Sequence, residues 1–149
     1  MIYFDAAYIA KCYLNEPGAE VVRALAHTAD GLGSCEFARI EFAAIITRHR
    51  RERQLTRREA TAVLREFHTD EQSGVWQWFP VTPELIERAR EAVLRMPEDL
   101  FLRSAAALHL ACARDQGFAE VYTNDRHMLA AARHFDLRGT NVITTGPHP

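Results

Sequence analysis

Lysine is almost missing from this chain: of its 18 basic residues only Lys11 is a lysine, and the rest are arginines. Its cationic surface is therefore built from planar guanidinium forks, which meet phosphate or carboxylate bidentately where an ammonium cannot. Cysteine is scarce too. Cys12, Cys35 and Cys112 are odd in number, widely spaced and set in apolar segments. That excludes a disulfide framework and a zinc-ligand spacing, and it reads as buried free thiols in a reducing, cytoplasmic compartment. Long hydrophobic runs are also absent. The longest uncharged stretch near the middle, Ser104 to Ala113, is closed by Arg103 and Arg114, far short of the ~20 residues a membrane helix needs. No basic leader precedes an apolar segment at the start, so no signal peptide is expected. There is no GxSxG, HExxH, Walker A or GxGxxG stretch, which removes the commonest motif-borne active sites.

What the chain does contain fits a soluble globular protein: 149 residues, 48% hydrophobic and 26% charged, enough for one domain with a sizeable core. One domain over 1–149 is expected, with 146–149 as a loose tail. The net charge of −2 neither supports nor excludes a nucleic-acid partner. Its distribution is more informative. Arg48, Arg50, Arg51, Arg53, Arg57 and Arg58 crowd into one short stretch. Such a run is either a solvated helix end and turn or a patch for phosphate or an acidic partner segment.

The apolar pattern alternates between strand and helix periods. Met1 to Phe4 is an apolar run ending on Asp5, and its β-formers Ile2, Tyr3 and Phe4 have no polar relief, the profile of a central strand buried on both faces. Helices are expected at Ala6–Leu14 and Ala19–His27, a strand within Gly31–Cys35, and a helix capped by Ser34 that runs to His49. Phe37, Ile40, Glu41, Ala44 and Ile45 share one face of that helix. Thr56-Arg57-Arg58-Glu59 is a capping box opening a helix that runs to Asp70, with Ala60, Val63, Leu64 and Phe67 inward. Val75–Phe79 alternates as a strand, its two tryptophans reading as packing. Thr82-Pro83 starts a helix with Leu85, Ile86, Ala89, Ala92 and Val93 inward. The most apolar helix spans Leu100 to Asp115, with His109 as a hydrogen-bonded core histidine. Glu120–Thr123 is a strand, His127–His134 a helix, and Asn141–Thr144 a last strand. Strands alternating with helices predict an α/β fold with a mostly parallel sheet covered on both faces.

Acidic residues decide where chemistry would lie. Asp5 and Asp125 each follow an apolar strand and open a helix, so in a parallel sheet both stand at the carboxyl edge, where sites collect. Each is also a good helix cap. Glu41 interrupts an apolar stripe, and a buried carboxylate needs an arginine, a metal or water. Three carboxylates converging on one cleft would repel, and a hard cation such as Mg²⁺ or Mn²⁺ relieves that while activating water against a phosphodiester.

These residues resemble a family. The opening MIYFDAAYIAKCYLNEPGAE, then SCEFARIEFAA, LRSAAALHLA and VYTNDRHMLAAA are similar, in order, to the four motifs of PIN-domain ribonucleases, in particular the VapC toxins of bacterial toxin–antitoxin pairs. The resemblance covers nearly the whole chain. It implies a three-layer α/β/α sandwich with a five-stranded, mostly parallel sheet, endonucleolytic cleavage of RNA, a divalent ion, a homodimer, and a VapB-like antitoxin that blocks the site. It places Asp5, Glu41 and Asp125 on three of the family's four acids, as catalytic residues and metal ligands, and Thr123 and Asn124 in its TND segment. Arg103, Arg48, Arg50 and Arg51 are candidate RNA or antitoxin contacts. Two positions depart. Ala7 replaces a common Ser or Thr, and Ala106 stands where the fourth acid, an Asp, belongs. An inactivating substitution, a branch with lost or reduced activity, and a branch working with three acids would each leave that alanine. A catalytically dead module that binds RNA or an antitoxin, and a DNA nuclease of related fold, are the rival readings.

Overall fold

The computed structural model describes residues 1–143. The strands are β1 (Ile2–Phe4), β2 (Leu32–Cys35), β3 (Trp76–Phe79), β4 (Glu120–Tyr122) and β5 (Arg138–Thr140). The helices are α1 (Ala6–Tyr13), α2 (Ala19–Thr28), α3 (Ala38–Arg51), α4 (Arg57–Gln72), α5 (Pro83–Leu94), α6 (Ser104–Asp115) and α7 (Arg126–Ala131). All strands are parallel, in the order β3-β2-β1-β4-β5. The apolar run that ends on Asp5 is thus the central strand, and the Tyr3↔Val121 and Phe4↔Tyr122 register sets the ends of β1 and β4 side by side.

Alternate residues of β1 feed opposite faces, as the strand period requires. Tyr3 packs with Cys35, Val121, Leu110 and Met128 beneath α5, α6 and α7. Phe4 packs with Tyr8, Ile9, Phe42, Phe67 and Trp76 beneath α1 to α4. The result is the expected three-layer α/β/α sandwich. Local signals hold where they are chemically specific. Thr56 and Glu59 form the capping box of α4, and Thr82 caps α5 with Pro83 behind it.

Several boundaries differ from expectation. Ser34 does not cap α3; it lies inside β2, fully buried, and its hydroxyl donates to the Phe4 carbonyl at 2.7 Å. α3 starts after Phe37 and buries Ala38, Phe42 and Ile46, so the apolar face is offset by one position: Phe37 and Ile40 are exposed and Glu41 stands at the stripe's rim. Leu64, Ile86 and Val93, expected inward, are also exposed. α6 begins only at Ser104, since residues 100–103 are irregular and Arg103 has an extended backbone. α7 ends at Ala131 and passes into a 3-10 turn, Ala132–Phe135. The last strand is Arg138–Thr140. Asn141 to Ile143 is irregular, held by the Val142 N–H donating to the Tyr8 hydroxyl at 2.9 Å. Thr144 and the tail 146–149 lie outside the described residues.

Ser34 ties β2 to the last residue before Asp5. Ser34→Ala removes that buried donor and is expected to destabilise the fold by about 1–2 kcal/mol. Urea unfolding checks this, and an unchanged midpoint would show that the Phe4 carbonyl does not need the bond.

Candidate active site

Asp5 caps α1 from the carboxyl end of β1. Its Oδ1 accepts the Tyr8 N–H at 2.8 Å and its Oδ2 accepts the Thr123 hydroxyl. The Thr123 oxygen in turn accepts the Asp125 N–H at 2.9 Å. Thr123 is fully buried, so it lies behind the acids and joins them. Asp125 caps α7 through Oδ1, which accepts the N–H groups of His127 at 2.8 Å and Met128 at 3.3 Å. The two readings of each aspartate, cap and site, therefore coexist: the helix N-terminus holds one oxygen and the strand end aims the carboxylate.

Asp5, Glu41 and Asp125 line one cleft of about 670 Å³, together with Ala106, Arg48, Arg51 and Arg103. Arg50 and Asn124 are exposed and do not line it. Ala106, on α6, is buried and gives that wall a methyl group. Asp99 is exposed on the loop before α6 and cannot stand in for the acid. Among the described residues Arg48, Arg51 and Arg103 make no ion pair, whereas Arg88, Arg90, Arg95, Arg114 and Arg138 each hold a carboxylate. Unpaired guanidinium groups beside a carboxylate cluster leave the cleft ready for an anion such as phosphate.

His109 is the buried, hydrogen-bonded histidine expected from the sequence, and it also lines this cleft, which the sequence did not reveal. It is buried and bonds Glu41 Oε2 through Nε2 at 2.7 Å. Its Nδ1 meets the Tyr3 hydroxyl at 3.0 Å, and that oxygen accepts the Cys35 N–H at 3.0 Å. In the neutral ring the Tyr3 hydroxyl donates to Nδ1 and the imidazole hydrogen sits on Nε2, facing Glu41. The charged ring keeps the same Nε2 donor. Burial alone would lower the proton affinity of His109, but the Glu41 bond and charge outweigh it and raise the pKa. The available signal was spacing: His109 lies three residues after Ala106, one turn along the same face.

Oxygen donors without thiolates suit a hard divalent cation in kind. In number they fall short. Among the described residues no three Asp, Glu, His or Cys side chains stand close enough to share one ion. Each Asp5 oxygen accepts one hydrogen bond and keeps a further lone pair, and among the described residues Glu41 Oε1 and Asp125 Oδ2 have no protein partner. The Ala106 methyl group supplies no further oxygen.

Burial pushes the Asp5 carboxyl above its usual range, against the Thr123 and Tyr8 bonds and the His109 charge, with Glu41 adding to the rise. The folded state therefore holds this proton more tightly than the unfolded chain. Stability from this group is complete below the unfolded value, near pH 4, and is lost as pH rises through the folded one. Asp5→Asn, which keeps an acceptor for Tyr8, is expected to be more stable than the unaltered chain at pH 7 in EDTA. The gain should vanish below about pH 4. Urea midpoints at both pH values test this, and equal stability at pH 7 would contradict it.

The same fold recurs in solved structures. A Mycobacterium tuberculosis toxin described as VapC20, sarcin-ricin loop cleaving, superposes with a TM-score of 0.69 at 20% identity, covering 88% of this chain and 95% of that one. The FitAB assembly bound to an IR36 DNA fragment gives 0.64 at 15% identity, covering 100% of both chains. No curated relative matches by sequence. Residues 2–134 match the PIN domain family. With that match spanning most of the length and the sheet order and strand-end acids in place, the chain belongs to the PIN domain family.

Proposed function

We propose that this chain is a VapC-like toxin: by design a metal-dependent endoribonuclease that hydrolyses RNA phosphodiesters in the cytoplasm, weakened or silenced at Ala106. The observation that carries the reading is the cleft itself, where Asp5, Glu41 and Asp125 face unpaired Arg48, Arg51 and Arg103. PIN-domain proteins are generally nucleases. RNA as substrate draws support from the neighbour described as a sarcin-ricin loop cleaving toxin. In this reading the arginines seat the phosphate, Thr123 holds Asp5 and Asp125 at the strand ends, and His109 fixes Glu41. Mg²⁺ or Mn²⁺ would be the cation of the complete acid set, and the set is complete only with a carboxylate at position 106. The runner-up reading, a catalytically dead module that binds RNA or a VapB-like antitoxin, is favoured by that same gap.

Self-association completes the reading. A second groove, of about 600 Å³, is walled by Phe37, Ile86, Val93, Leu94 and Leu102. Ile86, Val93 and Leu94 are exposed, at 48%, 40% and 70%, and a contiguous apolar face of this kind suits a second copy of the chain. Ile86→Glu combined with Leu94→Glu is expected to turn a dimer into a monomer in sedimentation velocity. An unaltered sedimentation coefficient would place the contact elsewhere.

The decisive test of function is cleavage of single-stranded RNA in Mg²⁺ and in Mn²⁺. Ala106→Asp is expected to cut at least about 100-fold faster than the chain as it stands, since even outer-shell partners of a metal cost 10–100-fold. Adding Asp5→Ala should abolish the gain. Equal cleavage by both chains, lost on Asp5→Ala, would mean that three acids suffice. If neither chain cuts, the binding-module reading gains.

A further inference from the structure

Phe101 is unexpectedly exposed for a phenylalanine beside a buried wall. The residue is 56% exposed, on the irregular segment that leads into α6. It does not line the apolar groove of α5; it stands two residues before Arg103, which lines the acidic cleft. Its partner is His127, two residues beyond Asp125, with ring centroids 4.9 Å apart and planes at 74°. Arg126 extends this cluster by donating from Nε to His127 Nε2 at 3.3 Å. Among the described residues neither Arg103 nor Arg126 holds a carboxylate.

A T-shaped contact covers at most one face of an aromatic ring, and with more than half of Phe101 exposed the other face is available to a stacking partner. An open aromatic face bordered by unpaired guanidinium groups is the composition with which proteins hold single-stranded nucleic acid: the cations follow the phosphates and the ring takes a base. Three other strongly exposed apolar side chains, Ile86, Val93 and Leu94, are aliphatic and lie on the groove away from the acids. Of the two exposed phenylalanines, Phe37 lines that groove, whereas Phe101, the more exposed, stands two residues from the cleft-lining Arg103. The occupant fits by charge: Arg103, two residues from Phe101, lines the cleft with Arg48 and Arg51, and His127 stands two residues from the cleft-lining Asp125.

We infer that Phe101, braced by His127, is a stacking platform for a base of single-stranded RNA next to the phosphate held in the cleft. This rests on the reading of the cleft as an RNA site and adds the residue that selects an unpaired, stackable nucleotide beside the scissile position. A duplex, whose bases are already stacked, would not use it.

The test is fluorescence anisotropy of the chain as it stands, in EDTA, with fluorescein-labelled single-stranded oligoadenylate and the same oligomer carrying abasic positions. Phe101→Ala is expected to weaken oligoadenylate binding about 5- to 100-fold while leaving the salt dependence unchanged. Phe101→Trp should preserve binding. The abasic oligomer should bind the unaltered chain weakly and be indifferent to Phe101→Ala. Arg48→Gln with Arg51→Gln serves as the arm for the cleft and should flatten the salt dependence. Weakening by the arginine variant with no effect of Phe101→Ala would overturn the platform and leave the RNA site standing. No oligoadenylate binding by the unaltered chain would overturn both. A change in sedimentation coefficient on Phe101→Ala would also overturn the platform, by assigning the ring to a protein contact.

Discussion

One buried hydroxyl joins the two strand ends on which the cleft is built. Thr123 donates to Asp5 and accepts from the Asp125 N–H, so the carboxylate of β1 and the cap of α7 are held in one arrangement. The parallel register of β1 and β4 makes this possible, because it ends both strands side by side at the sheet's centre. Had either strand slipped by one residue, every side chain on it would have changed face. The acid at its end would then have turned into a core. Helix capping does the rest: each aspartate satisfies N–H groups of the helix it opens, and those bonds fix its rotamer.

Around that pair the cleft is arranged by what its charges lack. Arginines on α5 and on the sheet's far edge are paired with acids, while those facing the cleft are not. Glu41 is the exception on the acidic side, since His109 holds it from the buried face of α6. The Tyr3–His109–Glu41 chain connects the middle of the central strand to the rim of the cleft, and Ala106 lies one turn before His109. A carboxylate at that position would enter a wall whose neighbours are already oriented. In the proposed reading the site is an organised frame in which a methyl group stands where one ligand would be.

Much of this was legible in the sequence because the informative segments are chemically unambiguous. Ile2 to Phe4 followed by Asp5, and Val121-Tyr122 followed by Thr-Asn-Asp, admit few structures other than buried strands ending on caps. The face of α3 was not legible. Residues 37 to 46 carry apolar side chains at nearly every position, so two overlapping stripes fit the helical period, and packing against Tyr13 and Phe67 selects the one containing Phe42. The last strand was misplaced for the opposite reason. Arg138-Gly139-Thr140 has little β character, yet glycine suits the middle position because a Cβ would crowd the Leu129 Cα at 3.0 Å. The better β-formers Val142 and Ile143 follow a segment tied to Tyr8. The role of His109 was hidden because its partner lies on another helix, 68 positions away.

The central claim is that the cleft is one carboxylate short of a cation site, and a direct measurement needs no substrate. Mn²⁺ titrated calorimetrically into the chain as it stands is expected to show weak or no saturable binding. Ala106→Asp should bind at least about 10-fold more tightly, as expected when a ligand is restored to an otherwise ordered site. Equal affinity in the two proteins would contradict the claim and return Ala106 to the status of an ordinary wall residue.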